Sequence, residues 1–207
     1  YAAALTYNDA DFDKMRKIIR EARDRGIEFL PPDLDKSDVN FTPETMDDGR
    51  PAVRWGLGSI KGVGVYARPL AAACRGKGFK RIEDAARALV GHGNASTQIR
   101  ALAAAGALDN LNKNRQAAAE HFIQCLKCES GESGQDLLFA LTAPACPSIP
   151  DLSAEQKRTA EIEAIGISFH EHPLANAWSE VRRLSAVSLA KIEDFAGCGA
   201  MTVLVRV

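Results

Sequence analysis

The stretch from Gly56 to Gly64, GLGSIKGVG, constrains this chain most, because it sets four glycines and a lysine between a strand-like run and a helix-like run. Glycine adopts positive φ and allows close approach to the backbone, so successive N–H groups can form a concave site for an anion. The positive end of the following helix favours the same ligand, and Lys61 adds a full charge. The pattern predicts a phosphate-binding loop, with an ordinary glycine-rich turn as the alternative.

Charge is segregated along the sequence. Between Arg50 and Lys127 there are 13 lysines and arginines against four acidic residues, a net charge of +9. The remainder has 13 basic and 23 acidic residues, so the formal net charge of −1 for the whole chain conceals the contrast. A basic block is typical of a surface that meets nucleic acid, and a solvated helical face is the alternative interpretation.

Length and composition predict a soluble protein with real hydrophobic cores. The 207 residues are 46% hydrophobic, which suffices for one large domain or two to three small ones. No run approaches membrane-spanning length, and no basic-then-apolar leader is present, so no membrane partner is expected. The five scattered cysteines favour a reducing compartment, which indicates a cytoplasmic location. Both ends read as interrupted elements, so we expect a piece of a longer protein.

Apolar periodicity predicts a mainly α chain with short β segments. An amphipathic helix over 12–22 is followed by a glycine C-cap at Gly26, and strands are expected over 27–30 and 53–57. The acidic, turn-rich stretch 33–50 is interpreted as an extended connection. Further helices are expected over 65–74, 82–90, 96–105, 113–128, 154–168 and 174–184, and a last strand over 199–207.

Two breaks in the helical region resemble each other. Each is a small-residue hairpin between helices, the first at 62–64 and the second at 106–111. Lys113, Asn114 and Arg115 begin the helix after the second break. Pro69 stands in the first turns of the helix after Gly64, so that helix is expected either to begin near Arg68 or to be distorted there.

Five ordered motifs resemble landmarks of the bacterial DNA polymerase III alpha subunit, the C-family of replicative polymerases. Their order and spacing make the resemblance more specific than any one motif, and it runs through nearly the whole chain. Glu171 departs from the pattern, since the family usually has glycine there. The motifs are EARDRGIEFLPPD within 20–33, VRWGLGSIKGVG at 53–64, FKRIED at 79–84, IRALAAAGALDNL at 99–111 and EIEAIGISFHEHP at 161–173.

The resemblance implies four successive parts and a non-catalytic role for this piece. The catalytic carboxylates of the palm and the Mg²⁺ of the parent polymerase would lie outside the chain, which itself needs no cofactor. A different class remains open, a free-standing helix-hairpin-helix module of a repair protein, as does the error-prone paralogue of the polymerase. The parts are the end of the fingers region and an extended connection (1–49), a tandem helix-hairpin-helix module (50–128), a linker with a clamp-binding peptide (129–153), and a helical lead-in with the first strand of an OB-fold (154–207).

The resemblance also implies two sets of binding residues. The hairpins would hold the phosphates of double-stranded DNA without regard to sequence, and a pentapeptide would dock into the sliding clamp. Other replicase subunits are also expected as partners. The expected phosphate-binding residues are Lys61, Gly62, Val63, Gly64, Lys113, Asn114 and Arg115, and the expected clamp-binding residues are Gln135, Asp136, Leu137, Leu138 and Phe139.

The clamp peptide also has an argument from its own residues. An apolar Leu-Leu-Phe triplet lies between the acidic run 129–134 and a proline-rich stretch at 144–150, where a core segment is not expected. Exposed aliphatic and aromatic anchors suit a peptide that fills a groove. The alternative is a short helix that packs its Leu137, Leu138 and Phe139 back on the domain.

No metal site is predicted. Cys125 and Cys128 form a lone C-x-x-C on a helix, without the second pair that a zinc site needs. His170 and His172 are explained by the family motif. We expect Trp55, Phe79 and Trp178 to be core residues, because stacking platforms for bases are the rarer use of such side chains.

Overall fold

Helices dominate the part of the chain that the structure, a computed structural model, describes: residues 1–9, 11–92, 96–130 and 144–170. Residues 1–169 form one compact unit. The mainly α prediction is confirmed for these residues, together with the expected short β segments. The elements are α1 Ala2–Tyr7, α2 Phe12–Asp24, β1 Glu28–Leu30, β2 Thr42–Thr45, β3 Pro51–Arg54, α3 Ala67–Cys74, α4 Ile82–Leu89, α5 Ser96–Ala104, α6 Arg115–Glu129 and α7 Ala154–Ile165.

The helix α2 forms as its apolar spacing predicts. Asp11 caps its first turn by accepting a hydrogen bond from the Lys14 backbone N–H at 3.1 Å. Met15, Ile19 and Ala22 recur at helical spacing and are buried. The helix ends at Asp24, and the predicted glycine follows at Gly26, where φ is +79°.

A three-stranded sheet follows, with β3 in the centre. It pairs in parallel with β1, where Phe29 lies opposite Val53, and antiparallel with β2, where Pro43 lies opposite Val53. The strand β2 lies inside the stretch 33–50 that the sequence indicated to be a plain connection. It is an edge strand, where Pro43 is tolerated because an edge need not donate a ladder hydrogen bond on its outer side.

Two glycines of the opening motif serve packing. The backbone N–H groups of Leu57 and Gly58 donate to the carbonyls of Asp38 and Val39, each at 2.9 Å. A Cβ on Gly56 would lie 2.5 Å from the Asn40 carbonyl carbon, and one on Gly58 would lie 2.9 Å from the Val39 oxygen. Gly56 and Gly58 therefore let the connection cross over the chain after β3, and they have no part in an anion site.

The core is built from both the sheet and the helices. Trp55 is fully buried, with its ring edge-on to Phe41 at 4.8 Å and to Phe169 at 5.8 Å between centroids. Its expected place in the core is confirmed, and Phe79 packs against the same core with partial burial. Trp178 lies outside the described residues. Helix α6 packs against both α4 and α5, so it forms the centre of the helical part.

Helix ends differ from the sequence predictions by a few residues. Helix α3 begins at Ala67 after a 3₁₀ turn at Gly64–Tyr66, so Pro69 falls in its first turn, where its missing N–H costs no helical hydrogen bond. Helix α7 begins with a capping box between Ser153 and Gln156, and it ends before Gly166, which has a φ of +82°. Across the described ranges, no helix has the length and apolar character that crossing a membrane requires.

Several predictions fall on residues that the structure does not describe. They are the helix over 174–184, the strand over 199–207 that would open an OB-fold, and the clamp peptide at 135–139. The OB-fold and the boundaries of the four predicted parts therefore stay predictions. Helix α7 belongs to the same compact unit as the hairpin region.

Candidate nucleic-acid interface

The first hairpin is a tight, anchored turn with an exposed tip. Ile60 and Val63 are each 1% exposed and fix the turn to the core. Gly62 and Gly64 are exposed and have φ of +91° and +43°, a region that glycine adopts without strain. Both glycines thus have the positive φ that the sequence motif predicted.

Backbone donors are available at this tip. The Val63 N–H donates to the Ile60 carbonyl at 3.0 Å, which closes the turn. Within the described ranges, no residue accepts a hydrogen bond from the N–H groups of Gly62, Gly64 or Val65. The Lys61 side chain is exposed beside them, and helix α3 follows. Free N–H groups, a cation and a helix N-terminus together suit a phosphate.

The second hairpin is held mainly by the core. Its tight turn requires Gly106, which has a φ of +85°, and Leu108 beyond it is fully buried. The Ala107 carbonyl accepts a hydrogen bond from the Leu34 N–H at 2.9 Å, so the connection before β2 braces this turn. Lys113 is exposed at its end, so its side chain is accessible to a ligand.

Arg115 lies in the interior, which corrects its expected place at the DNA. The side chain is 3% exposed, and its guanidinium donates to Asp109 at 2.8 Å, to Glu161 at 2.7 Å and to the Ala104 carbonyl at 3.1 Å. Burial lowers the pKa of Arg115, but the hydrogen bonds and charges of Asp109 and Glu161 outweigh it and raise the pKa above its ordinary value. Arg115 is a structural cation.

Asn114 and Val63 also have structural roles. The Asn114 side-chain oxygen accepts from the Ala117 N–H at 3.0 Å and caps α6, while its amide donates to the Ile149 carbonyl at 2.7 Å. Val63 points into the core. Of the seven residues expected at the phosphates, the geometry leaves Lys61, Gly62, Gly64 and Lys113 accessible.

Helix α7 connects the two hairpins. The Lys61 N–H donates to the Ala164 carbonyl at 2.9 Å, and the Lys157 ammonium donates to the Lys113 carbonyl at 2.9 Å. Lys157 and Ala164 are seven positions apart on the helix, so their backbone atoms are roughly 10 Å apart along its axis. Between them, Glu161 binds Arg115. The helix therefore holds the backbone of both hairpins at Lys61 and at Lys113.

Most of the basic block is neutralised by carboxylates, several of which lie outside it in sequence. Seven of its eight arginines form ion pairs. The charge of +9 therefore overstates what a ligand meets. The pairs join Arg50 to Glu28 and Asp48, Arg54 to Glu44, Arg75 to Asp38, Arg81 to Glu83, Arg87 to Asp84 and Glu129, Arg100 to Glu120, and Arg115 to Asp109 and Glu161. The cations of the block that have no ion pair to any described residue are Lys61, Arg68, Lys77, Lys80, Lys113 and Lys127.

Of the cysteine pair, Cys125 lies in the core and Cys128 is partly exposed. Cys125 is buried, and burial raises the pKa of its thiol to about 11, so it stays protonated and is a poor metal ligand. No cluster of three or more potential ligands occurs among the described residues. His172 and Cys198 lie outside them.

Comparison with known proteins places this geometry in a family. A helix-hairpin-helix motif family matches residues 26–118. An error-prone DNA polymerase of Alkalilimnicola ehrlichii is 32% identical over 91% of this chain, and the DNA polymerase III alpha subunits of Neisseria meningitidis serogroup A and Aquifex aeolicus are 28% and 30% identical over 93% and 85%. The chain belongs to the C-family of bacterial DNA polymerases. It spans 18%, 17% and 14% of the length of these three relatives.

The family-model match and the polymerase relatives cover different extents of the chain. The matched motif region includes both the Gly62–Gly64 turn and the Gly106 turn. Similarity to the polymerases reaches well beyond that region, since it covers 91% to 93% of the chain in two of the relatives. This extent favours a polymerase segment over an isolated helix-hairpin-helix module.

Proposed function

We propose that this chain is the part of a bacterial replicative DNA polymerase that holds duplex DNA by its backbone and tethers the enzyme to the sliding clamp. The observation that carries the DNA-binding part is the first hairpin, where three N–H groups that have no acceptor among the described residues lie beside an exposed lysine. Nucleotidyl transfer by the parent enzyme, with its Mg²⁺, would take place on palm residues outside this chain.

The binding residues divide by role. Gly62 and Gly64 present backbone donors, and Lys61 and Lys113 supply charge. Phosphates repeat regularly along the strand whatever its bases, so contacts of this kind position the duplex without reading sequence. That tolerance is what a polymerase requires, because it passes over every sequence.

A matched set of lysine variants tests this proposal. Lys61→Ala and Lys113→Ala are each expected to weaken binding to all duplexes alike and to reduce the slope of log K against log salt by about one, because each removes one phosphate contact. Lys127→Ala is the control, since Lys127 is exposed at the opposite end of α6 from Lys113. Fluorescence anisotropy of labelled duplexes measures all three.

Gly62→Val sharpens the same experiment. Valine at a φ of +91° is strained by about 1–3 kcal/mol and places a branched side chain where the phosphate must approach. We expect a larger loss of affinity than from Lys61→Ala. Wild-type affinity in Gly62→Val, or equal salt slopes for Lys61→Ala and Lys127→Ala, would show that the hairpin is only a structural turn.

Tethering is proposed for the residues that resemble the clamp peptide of the family: Gln135, Asp136, Leu137, Leu138 and Phe139. They lie outside the described residues, and the support comes from sequence and from their flanks. Helix α6 ends at Glu129, and buried His121 lies with its Nε2 2.8 Å from the Pro144 carbonyl. Glu129 and Pro144, which precede and follow the peptide in the sequence, thus both lie at helix α6.

The error-prone form of the polymerase is the second candidate, because one of the relatives at about 30% identity has that name. The replicative form is favoured by the Gln-x-x-Leu-Phe pattern of 135–139, since the error-prone paralogue often lacks a clear clamp peptide. Binding to the clamp therefore also separates these two candidates.

A further inference from the structure

Two apolar side chains stand exposed at the first hairpin. Val65 is 85% exposed and Tyr66 is 39% exposed, whereas Val63, two residues earlier, is 1% exposed. The same turn thus directs one valine into the core and presents the next one to solvent. Isolated exposed apolar residues are common on proteins, so the meaning of this pair depends on its surroundings.

The surroundings are those of an anion site. Val65 and Tyr66 follow directly on Gly64, and the N–H groups of Gly62, Gly64 and Val65 have no acceptor within the described ranges. Lys61 precedes the turn and Arg68 follows it, and among the described residues neither cation forms an ion pair with a carboxylate. A ligand that covers this tip must therefore offer negative charge and apolar surface within a few residues' reach.

A DNA strand offers both. Each phosphate is separated from the next by a deoxyribose ring, whose carbon face is apolar and is accessible from the minor groove. Apolar side chains inserted at the minor groove are a known means of sequence-tolerant DNA binding. Charge complementarity with the free cations and N–H groups thus selects nucleic acid as the occupant.

We propose that Val65 and Tyr66 pack against deoxyribose rings of the strand whose phosphates are bound by the hairpin. The inference rests on the proposed function and adds a contact of a different physical kind to it. Burial of apolar surface contributes free energy that does not depend on counterion release, so this part of the affinity persists at high salt. It would also hold the hairpin at a fixed depth on the duplex.

The test measures, for each variant, both the affinity for duplex DNA and the slope of log K against log salt. A Val65→Ser, Tyr66→Ser double variant is expected to bind duplex DNA about three- to tenfold more weakly at every salt concentration, with an unchanged slope, because it removes apolar contact and no charge. Tyr7→Ser is the matched control, since Tyr7 is 89% exposed on α1. Anisotropy titrations at three or more salt concentrations give both quantities.

The outcomes are distinguishable. If the wild-type chain fails to bind duplex DNA, the proposed function fails. If the wild type binds and the double variant binds equally well, the sugar contact is wrong and Val65 and Tyr66 face another partner, such as a protein. The same conclusion follows if the double variant binds more weakly but with a smaller slope of log K against log salt, because the loss would then be electrostatic. Thermal unfolding excludes a folding defect, and Tyr66→Phe should keep wild-type affinity because the ring carries the contact.

Discussion

Glu161→Ala is expected to lower the free energy of unfolding by about 3–5 kcal/mol, because it leaves the Arg115 guanidinium charged and partly unpaired in the interior. Glu161 is 1% exposed, and one of its oxygens lies 2.7 Å from the Arg115 guanidinium. The other accepts hydrogen bonds from the Ser168 hydroxyl at 2.7 Å and the Phe169 N–H at 2.9 Å. One carboxylate thus joins α7, the second hairpin and the segment after Gly166.

The control is Glu163→Ala, which removes an exposed carboxylate two residues along the same helix. Denaturant unfolding of both variants gives the comparison. Equal stability of the two variants would mean that the buried pair does not hold α7 in place.

The Glu161 carboxylate also makes the free energy of unfolding depend on pH. Burial raises the pKa of Glu161, but hydrogen bonds from Ser168, Arg115 and the Phe169 N–H outweigh it, so the pKa lies below its ordinary value. A lowered pKa stabilises the folded chain above the unfolded-state pKa, and this stability is lost as the pH falls through the folded-state value. The stability difference between wild type and Glu161→Gln should therefore be full at neutral pH and shrink in acid.

Phe139→Ala is expected to weaken binding to the cognate sliding clamp by about 2 kcal/mol or more, as loss of a buried aromatic anchor does. Leu138 and Phe139 would fill a pocket of the clamp, and the Gln135 amide would fix the register. Since the proposed DNA contacts lie on the hairpins, the DNA affinity of the same variant should be unchanged. Calorimetric titration of clamp and anisotropy with DNA measure the two affinities.

Glu132→Ala provides the matched control for the clamp, because that residue precedes the proposed clamp-binding peptide in the sequence. The tether matters for processivity, since binding to a ring around the DNA makes rebinding of the polymerase effectively intramolecular. Equal clamp binding by wild type and a Gln135→Ala, Phe139→Ala double variant would remove 135–139 from the proposal.

Much of the fold could be predicted from local patterns. Helix α2 follows from its apolar spacing, and the positive φ of Gly62 and Gly106 follows from their place in the predicted hairpins. The strand β2 was missed because Thr-Pro-Glu-Thr has weak strand character and is held by its pairing with β3. The packing role of Gly56 could not be seen either, since it depends on Asn40, which is distant in sequence.

The candidate site shows the same division. Lys61 and Lys113 remain accessible, as expected from charge and spacing, while Arg115 is buried against Glu161, 46 residues later in the chain. A count of charges along a segment cannot detect such a partner, so it assigns a structural arginine to the surface. One sequence signal did indicate that Arg115 is buried: three alanines, which are typical of a packed helix face, follow it at 117–119.

The salt dependence of wild-type binding to duplex DNA tests the central claim most directly. Titrations against several unrelated duplexes at a series of salt concentrations should give closely similar affinities, and log K should fall linearly with log salt with a slope of about two, near 0.9 for each of the phosphates held by Lys61 and Lys113. Affinity that does not change with salt, or that differs strongly between duplex sequences, would contradict a hairpin that binds phosphates.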